Sequence, residues 1–336
     1  MGVDLGDILT RKKISIEDLS GSWIAVDGFN TLYQFLSTIR QPDGTPLMDS
    51  SGRITSHLSG LLYRMTNLVE AGIRVAFVFD GRPPELKAGT LAARAQMKEL
   101  AEIQLQEAIA TGAESFRYAQ ATTRINSEIL HDSIRLLDAM GIPYVQAPSE
   151  GEAQAAFMAI RGDVDYVASQ DYDSLLFGAP RVVRNLAITG RRKMPRKNVY
   201  IEVPPEVIIL EDELTRLGIS REQLIDIGIM CGTDYNKGLQ KVGPKRALKL
   251  IKEHGCLEAV LDALGESIEN LQEIRDIFLH PEVTESYELR MKKPSIDEIV
   301  GFLCNERDFS EERVRKAAER LNASFRAGQC TLERWF

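Results

Sequence analysis

Two strand-like segments in the first third of the chain constrain its fold most strongly. WIAVD covers residues 23–27 and VAFVFD covers residues 75–80, and both are rich in β-branched and aromatic residues. Between them, apolar residues from about 57 to 71 recur at helical spacing. Two continuously apolar strands joined by a helix are typical of a parallel sheet that helices cover on both faces. We therefore predict an α/β fold.

The α/β pattern is interrupted once and then resumes. Residues from about 82 to 124 contain no strand pattern, and Pro83 and Pro84 form the entry to a helix, so we predict a helical insertion that projects from the sheet. After it we expect a helix over 126–140, a strand in IPYVQA, a helix in SEGEAQAAFMAI and a strand in DYVAS. RVVRNLAI is predicted as a strand at a sheet edge. From Ser220 onward the pattern is mostly helical.

Composition excludes several classes of protein. With 336 residues, 44% hydrophobic and 27% charged, the chain is neither disordered nor collagenous. Its four cysteines form no CxxC pair, which argues against a disulfide framework or a cysteine zinc site. Asp4 and Asp7 lie where a signal peptide would be cationic, and no apolar run has the ~18 residues that a membrane span requires. We expect a cytoplasmic protein that contacts no membrane.

The net charge of −8 hides two cationic stretches, residues 181–197 and 237–252, neither of which contains an acidic residue. Runs of this kind are often solvated surface, but in an acidic chain they also indicate separate surfaces for polyanions and for cations.

Acidic residues follow the ends of the predicted strands. Asp27 and Asp80 end the first two, and further acids follow YVQA, DYVAS and the DIGIMCG helix: Glu150, Glu152, Asp171, Asp173 and Asp234. Ligand sites in open α/β sheets form beyond the carboxyl ends of the strands, so these acids should share one edge. Some could instead cap helices, and Ser149 with Glu152 matches a capping box.

Several carboxylates at one edge require cations. Like charges at ~4 Å repel by about 4 kcal/mol at an effective dielectric constant near 20. Ligation by oxygen alone favours Mg²⁺ or Mn²⁺ over zinc, and none of the four histidines lies beside these acids in sequence. Two such ions can hydrolyse a phosphodiester. Lys87 and Arg94 lie two helical turns apart after Asp80 and could bind a phosphate, or could be ordinary solvated side chains.

The segments that carry these residues resemble the flap endonucleases of the structure-specific 5′-nuclease superfamily, and among them most closely the archaeal members. The resemblance covers nearly the whole chain in the same order, through the following segments: MGVDLGDIL, VDGFNTLYQFL, FDGRPPELKAGTLAAR, APSEGEAQAA, SQDYDSLLFG and GTDYNKGLQKVGPKRALKLI. It implies a PIN-like nuclease fold with a mostly parallel sheet, a helical arch and a C-terminal helical DNA-binding region.

The resemblance also assigns roles to residues. It makes the acids listed above the ligands of two Mg²⁺ ions, with Mn²⁺ as a possible substitute, and Lys87 and Arg94 the cations that contact the scissile phosphate. Tyr33 corresponds to an aromatic that stacks on a base, although a core tyrosine is the alternative. Gly2 corresponds to a processed amino terminus that lies against the DNA.

Two further segments resemble binding motifs of the family. KVGPKRALKLI matches a helix–turn–helix clamp for duplex DNA, in which Gly243 opens a helix whose free N–H groups, with Lys245 and Arg246, can meet a phosphate. The C-terminal residues match the motif that docks on the sliding clamp (PCNA), a glutamine followed by apolar and aromatic positions: Gln329, Leu332, Trp335 and Phe336. The alternative is a terminus that folds back on its own core.

This interpretation divides the chain into five parts. Residues 1–98 form an N-terminal nuclease region and 99–124 the arch and its cap. Residues 125–258 form an internal nuclease region with the DNA clamp, 259–323 the C-terminal helical part of the core, and 324–336 the sliding-clamp-binding tail.

The expected function is removal of 5′ flaps at branched DNA in replication, including Okazaki-fragment maturation, and in repair, leaving a ligatable nick. An accompanying 5′-3′ exonuclease activity is expected, from a protein that the family suggests is a monomer. Three alternatives stay open at this point. They are a sister 5′ exonuclease or junction endonuclease, a catalytically silent scaffold that holds DNA, and a small-molecule phosphatase.

Overall fold

A computed structural model describes residues 2–41, 43–90, 92, 96, 125–188, 190–193 and 200–333. Residues 99–124, which carry the predicted arch and cap, and Arg94 lie outside this range. In the part of the chain that the structure describes, no helix has the length and apolar character needed to span a membrane.

A mostly parallel sheet of seven strands organises the molecule, in the order β1-β9-β6-β5-β2-β3-β4. The strands from β6 to β4 run parallel, while β9 is antiparallel to β6 and β1 is antiparallel to β9. A separate antiparallel pair, β7 and β8, carries part of the first cationic stretch. The strands are β1 Lys12–Lys13, β2 Trp23–Asp27, β3 Arg74–Phe79, β4 Tyr144–Gln146, β5 Tyr166–Ala168, β6 Arg181–Arg184, β7 Gly190–Lys193, β8 Tyr200–Val203 and β9 Glu206–Ile209.

The helices pack on both faces of the sheet, which confirms the predicted α/β fold class. They are α1 Gly28–Thr38, α2 Ser56–Gly60, α3 Thr66–Glu70, α4 Ser127–Met140, α5 Gly151–Ile160, α6 Asp173–Leu176, α7 Leu210–Leu217, α8 Arg221–Cys231, α9 Pro244–His254, α10 Leu257–Leu264, α11 Leu271–Leu279, α12 Ile296–Val300 and α13 Glu311–Glu333. A π-helical turn, Leu61–Met65, joins α2 to α3, so the helix predicted over 57–71 forms with a local distortion.

The central strands are buried on both faces, as their continuous apolar sequence predicts. On β2, Ile24 and Val26 pack into one core cluster and Ala25 packs into the other. On β3, Phe77 and Val78 are divided between the two clusters in the same way. Successive side chains of a strand point to opposite faces, so two strands supply apolar surface to both layers of helices.

The prediction that RVVRNLAI is an edge strand is wrong. Its strand, β6, ends at Arg184 and lies between β5 and β9 inside the sheet. The edge beyond it consists of β9 and the two-residue strand β1. Both strands are short, β9 follows only after the β7–β8 pair, and β1 comes from the amino-terminal segment, so the pattern of RVVRNLAI did not indicate that further strands would lie beyond β6.

The last helix continues into the segment predicted as a sliding-clamp-binding tail. Its first half packs along α3, with Val314, Ala318 and Leu321 buried. The same helix then runs without a break to Glu333, so the backbone of residues 324–333 is helical. Trp335 and Phe336 lie outside the described residues.

Candidate active site

The parallel strands bring the acidic segments to one edge of the sheet. Asp27 is the last residue of β2, and Asp80 directly follows β3, the strand paired with β2 on one side. Asp171 follows β5, which pairs with β2 on the other side, and Asp173 begins α6. Because these strands run parallel, their carboxyl ends, and the acids that follow them, lie side by side.

The remaining acids reach the same edge from helix ends. Glu150 precedes the first residue of α5, and Glu152 lies in its first turn. Asp234 lies in the turn that follows α8. The Lys87 ammonium joins two of these segments, since its Nζ lies 2.6 Å from Glu150 Oε2 and 3.3 Å from Asp234 Oδ2.

Burial and repulsion between neighbouring acids raise the pKa values of several of these carboxyls, among them Asp27, Glu152 and Asp173. Desolvation is the main cause for Asp27 and Asp173, whose pKa values rise to about 8 and about 7, and Asp171 adds repulsion in both cases. Burial, followed by repulsion from Asp173 and Asp27, raises the pKa of Glu152 well above its ordinary value. Groups that repel one another in this way form a single electrostatic cluster.

Lys87 is the countercharge of this acidic cluster. Burial by itself would lower the pKa of Lys87, but Glu150, Asp234 and Asp80 raise it above its ordinary value. The ammonium is therefore charged at neutral pH, with only 12% of the side chain exposed. The sequence predicted a cation facing the acids, whereas the structure places Lys87 in direct contact with two of them. Lys87 lies in a 3₁₀ turn, Glu85–Lys87, that Pro84 precedes.

Hydroxyl and backbone N–H groups that the sequence pattern did not predict hold the carboxylates in place. Ser169 Oγ and Ser174 Oγ donate to Glu152 Oε1 at 2.7 and 3.0 Å. The Val3 N–H donates to Asp173 Oδ1 at 2.7 Å, across 170 residues of sequence. Ser174 directly follows the DYD segment and Ser169 lies two residues before it, and this proximity was the available signal. No sequence signal pointed to the contact of Val3.

The capping-box interpretation of Ser149 and Glu152 is wrong. The N-cap of α5 is Glu150, and within the described part of the chain its own side chain makes no capping hydrogen bond. Asp80 Oδ1 instead accepts the Gly151 N–H at 2.7 Å, so an acid from another strand occupies the helix N-terminus. Asp27 does cap α1, because its Oδ1 accepts the Asn30 N–H at 3.0 Å. For Asp27, a capping role and membership of the acidic cluster hold together.

Two glycines allow backbone to approach the carboxylates closely. A Cβ at Gly2 would lie 2.6 Å from both carboxylate oxygens of Asp173, and a Cβ at Gly151 would lie 2.7 Å from Asp80 Oδ1. Any side chain at either position would push the acid away. Gly2, which the sequence assigned to DNA contact, therefore lies against the acidic cluster.

The other predicted DNA-binding residues lie on exposed surface. The Tyr33 side chain is 39% exposed while Leu32 and Phe35 of the same helix are buried, so the alternative of a core tyrosine is wrong. Gly243 is the N-cap of α9, and no side chain among the described residues caps that helix, so its first N–H groups are suited to an anion. Lys245 is mostly exposed, with its Nζ 3.4 Å from Asp7 Oδ2. Arg246 Nη1 donates to the Lys241 carbonyl at 3.4 Å.

Comparison with known proteins identifies the family. Residues 1–101 match the XPG N-terminal domain and residues 141–234 match the XPG I-region. Flap endonuclease 1 of Methanothrix thermoacetophila is 90% identical over 335 residues, which cover 100% of both chains. The chain belongs to the flap endonuclease 1 family. It is therefore a structure-specific nuclease, a hydrolase of phosphodiester bonds.

Solved structures share the fold of this flap endonuclease family member. Flap endonuclease-1 from Methanococcus jannaschii superimposes with a TM-score of 0.76 at 42% identity, covering 96% of this chain and 98% of that one. The catalytic core of Rad2, solved in complex with DNA substrate, superimposes with a TM-score of 0.72 at 24% identity, covering 96% and 100%. The Rad2 match shows the shared fold only.

The side chains at the sheet edge fit a hard divalent cation in their chemistry. All the clustered acids offer carboxylate oxygens, the ligands that Mg²⁺ and Mn²⁺ prefer, and burial together with repulsion from neighbouring acids raises the pKa values of Asp27 and Asp173. Within the described ranges, no three acidic, histidine or cysteine side chains meet closely enough to form a ready-made metal site. Lys87 lies between Glu150 and Asp234, so the nuclease balances part of its acidic charge with its own ammonium.

We predict that the metal-free nuclease loses stability as pH rises. The folded-state pKa values of Asp27 and Asp173 lie above the unfolded value of 3.8, so the bound protons stabilise the fold at low pH and this stabilisation disappears as pH passes about 7–8. Between pH 6 and 9 in EDTA, the free energy of unfolding should fall by roughly 2 kcal/mol or more. Urea unfolding at each pH measures it.

Two further measurements serve as controls for the pH effect. Asp27→Asn should flatten the pH dependence, because it removes one of the titrating carboxyls. Saturating Mg²⁺ should reduce the fall, because cations stabilise the ionised carboxylates. An unfolding free energy that is independent of pH in EDTA would contradict the burial of these acids.

We also predict that Gly151→Ala weakens divalent-metal binding. The added Cβ would displace the Asp80 carboxylate, and disturbing such a supporting contact typically costs about 10–100-fold in metal affinity. Calorimetric titration with Mn²⁺ in the absence of DNA measures the change. Gly301→Ala is the matched control, since its Cβ would meet nothing within 4 Å. Equal Mn²⁺ affinities for the two variants would argue against a role of Asp80 in metal binding.

Proposed function

We propose that this nuclease is Mg²⁺-dependent and cuts the 5′ flap of branched DNA close to the junction, leaving a nick that a ligase can seal. The observation that carries the proposal is a partly buried cluster of carboxylates from several strand and helix ends, with the protonated Lys87 side chain bound among them. Flap removal during Okazaki-fragment maturation and in repair is the biological role that this activity supports, together with 5′-3′ exonuclease action on nicked DNA.

The proposed metal ligands are the acids of the cluster: Asp27, Asp80, Glu150, Glu152, Asp171, Asp173 and Asp234. Two Mg²⁺ ions, or Mn²⁺ in their place, would supply Lewis acidity for phosphodiester hydrolysis when bound. The chain's own contribution is to hold the carboxylates rigidly, through Ser169, the Val3 N–H and the Gly151 N–H, and to keep the edge partly shielded from water.

Lys87 is the proposed contact to the scissile phosphate. Its ammonium already lies within 3.3 Å of carboxylates from two segments, so a phosphate that binds it is brought to the acidic cluster. A positive charge at this point also offsets the repulsion between the DNA backbone and the acids. The proposed partner cation is Arg94, which lies outside the described residues.

DNA shape, read through backbone contacts, is the proposed basis of specificity. The open N-terminus of α9 with Gly243, Lys245 and Arg246 is suited to a phosphate of the uncut duplex. The exposed ring of Tyr33 is suited to stacking on a base near the cut. The proposed role of Gly2 is to let the amino-terminal segment lie between the bound DNA and the acidic cluster. We place the enzyme, as a monomer, with the chromosomal DNA in the cytoplasm.

The test of this function is cleavage of end-labelled DNA in Mg²⁺. A double-flap substrate should be cut once near the 5′-flap junction, while a 3′ flap and plain single strand should stay intact, and EDTA should abolish the cut. Progressive trimming of nicked duplex without flap cleavage would instead indicate a 5′ exonuclease. Binding of flap DNA without any cut would indicate a scaffold.

Asp173→Ala is the control that links cleavage to the acidic cluster. It removes one proposed ligand and leaves the DNA-binding surface on α9 intact, so junction binding should persist while cleavage falls by at least about 100-fold. Gel-shift and cleavage assays on the same flap substrate measure both. Cleavage at the wild-type rate would refute the metal assignment.

Binding to the sliding clamp is the proposed role of the C-terminal motif. The helix that contains Gln329 and Leu332 continues from the packed part of α13, which would project the motif from the body of the enzyme. Apolar positions at i, i+3 and i+4 form one face of a helical turn that can enter a groove on a partner.

Removing residues 329–336 should leave basal cleavage unchanged and abolish stimulation by the sliding clamp. Cleavage rates with and without the clamp, on the same double flap, measure the effect. Thr331→Ser, a change within the tail but outside the motif, should be stimulated like the wild type. Stimulation that survives the truncation would refute the docking role.

A further inference from the structure

Asn30 contacts two of the clustered acids at once. It lies in the first turn of α1, where its N–H donates to Asp27 Oδ1 at 3.0 Å. Its side-chain Nδ2 donates to Asp171 Oδ2 at 3.1 Å, across 141 residues of sequence. Asp27 ends β2 and Asp171 follows β5, so this one residue connects the carboxylates of two neighbouring strands.

Gln34 determines which end of the Asn30 amide faces Asp171. One helical turn further along α1, Gln34 Nε2 donates to Asn30 Oδ1 at 2.7 Å. Because the Asn30 oxygen accepts from Gln34, its amide nitrogen is the end that points to Asp171. The reverse orientation would place two acceptors, the amide oxygen and the carboxylate, against each other.

The clustered carboxylates have different hydrogen-bond partners. Glu152 accepts from two serine hydroxyls, Asp173 accepts the Val3 N–H, and Glu150 binds Lys87. For the Asp171 carboxylate, Asn30 Nδ2 is the one hydrogen-bond donor that the described residues supply. Without this bond, no hydrogen bond from the described residues would fix the orientation of the Asp171 carboxylate.

The surroundings of Gln34 favour this orienting role over packing or ligand binding. Gln34 Oε1 is buried and has no hydrogen-bond partner within the described part of the chain, which costs stability. The cavity beside it, lined by Asn30, Gln34 and Ser169 among others, has a volume of about 10 Å³, too small for any ligand larger than water. An apolar side chain would pack there without that cost.

We propose that Asn30 is a positioning residue that orients the Asp171 carboxylate for divalent-metal binding, and that Gln34 acts through Asn30 by fixing its amide. The inference rests on the proposed function, since it assumes that Asp171 is a metal ligand. Asn30→Leu keeps the size of the side chain and the backbone N–H bond to Asp27 but removes the bond to Asp171. Gln34→Met keeps its length and removes the donor to Asn30.

The test is calorimetric titration of the DNA-free enzyme with Mn²⁺, together with the Mg²⁺ concentration needed for half-maximal cleavage. Asn30→Leu should weaken Mn²⁺ binding by about 10–100-fold, and Gln34→Met should weaken it less. The double variant should bind Mn²⁺ no more weakly than Asn30→Leu, because Gln34 acts through Asn30. At saturating Mg²⁺, the cleavage rate of Asn30→Leu should approach that of the wild type.

The matched control is Asn67→Leu, since Asn67 lies on the exposed side of α3 and its Oδ1 accepts from Arg320 at 2.9 Å. This variant should bind Mn²⁺ like the wild type. If Asn30→Leu fails to fold, as judged by its melting temperature, Gln34→Met and the smaller change Asn30→Ser carry the test. If the Asn30 variants have a lower melting temperature but bind Mn²⁺ within twofold of the wild-type affinity, the role of Asn30 is purely structural and the proposal is overturned.

Two other results separate the possible failures. Additive losses in the double variant would overturn the action of Gln34 through Asn30. Unchanged Mn²⁺ binding by Asp173→Ala would refute the assignment of the acidic cluster as a metal site. It would also refute the proposed function, whatever the result for Asn30.

Discussion

Repulsion among buried carboxylates is the constraint on which the rest of this structure depends. The sheet edge gathers acids whose burial raises the pKa of Asp27 to about 8 and of Asp173 to about 7. An arrangement of this kind persists only if donors and positive charge surround it. The Lys87 ammonium supplies the charge, and hydroxyl and N–H groups from several elements supply the donors.

The fold supplies those donors from distant parts of the chain. The central position of β2, between β3 and β5, lets one strand end meet acids from both neighbours. The amino-terminal segment is anchored by the buried side chains of Val3 and Leu5, and this brings the Val3 N–H to Asp173. Much of the packing near this edge can therefore be understood as support for the acidic cluster. Burying these acids is unfavourable, and this free-energy cost is offset by the apolar packing of two core clusters, one on each face of the sheet.

Sequence reasoning succeeded where local pattern and parallel topology decide the outcome. Continuous apolar strands indicated a sheet buried on both faces, and acids at strand ends indicated a shared edge, because parallel strands direct their carboxyl ends the same way. It failed where a distant segment competes with a local partner. Ser149 and Glu152 satisfy the capping-box pattern. In the structure, however, Asp80 accepts the Gly151 N–H, and two serine hydroxyls donate to Glu152. The position of β6 was misjudged because its outer neighbour, β9, comes only after the β7–β8 pair, and β1 from the amino-terminal segment then pairs with β9.

The sequence by itself determined the α/β class, the acids at the strand ends and the family to which the chain belongs, since these depend on residue type and spacing. Only the tertiary structure decided the contacts of each carboxylate. Lys87 lies between Glu150 and Asp234, and Asn30 joins Asp27 to Asp171, through hydrogen bonds and ion pairs whose partners are mostly far apart in sequence. Such pairings depend on how strands and helices are placed in space, and the periodicity of a single segment contains no information about them.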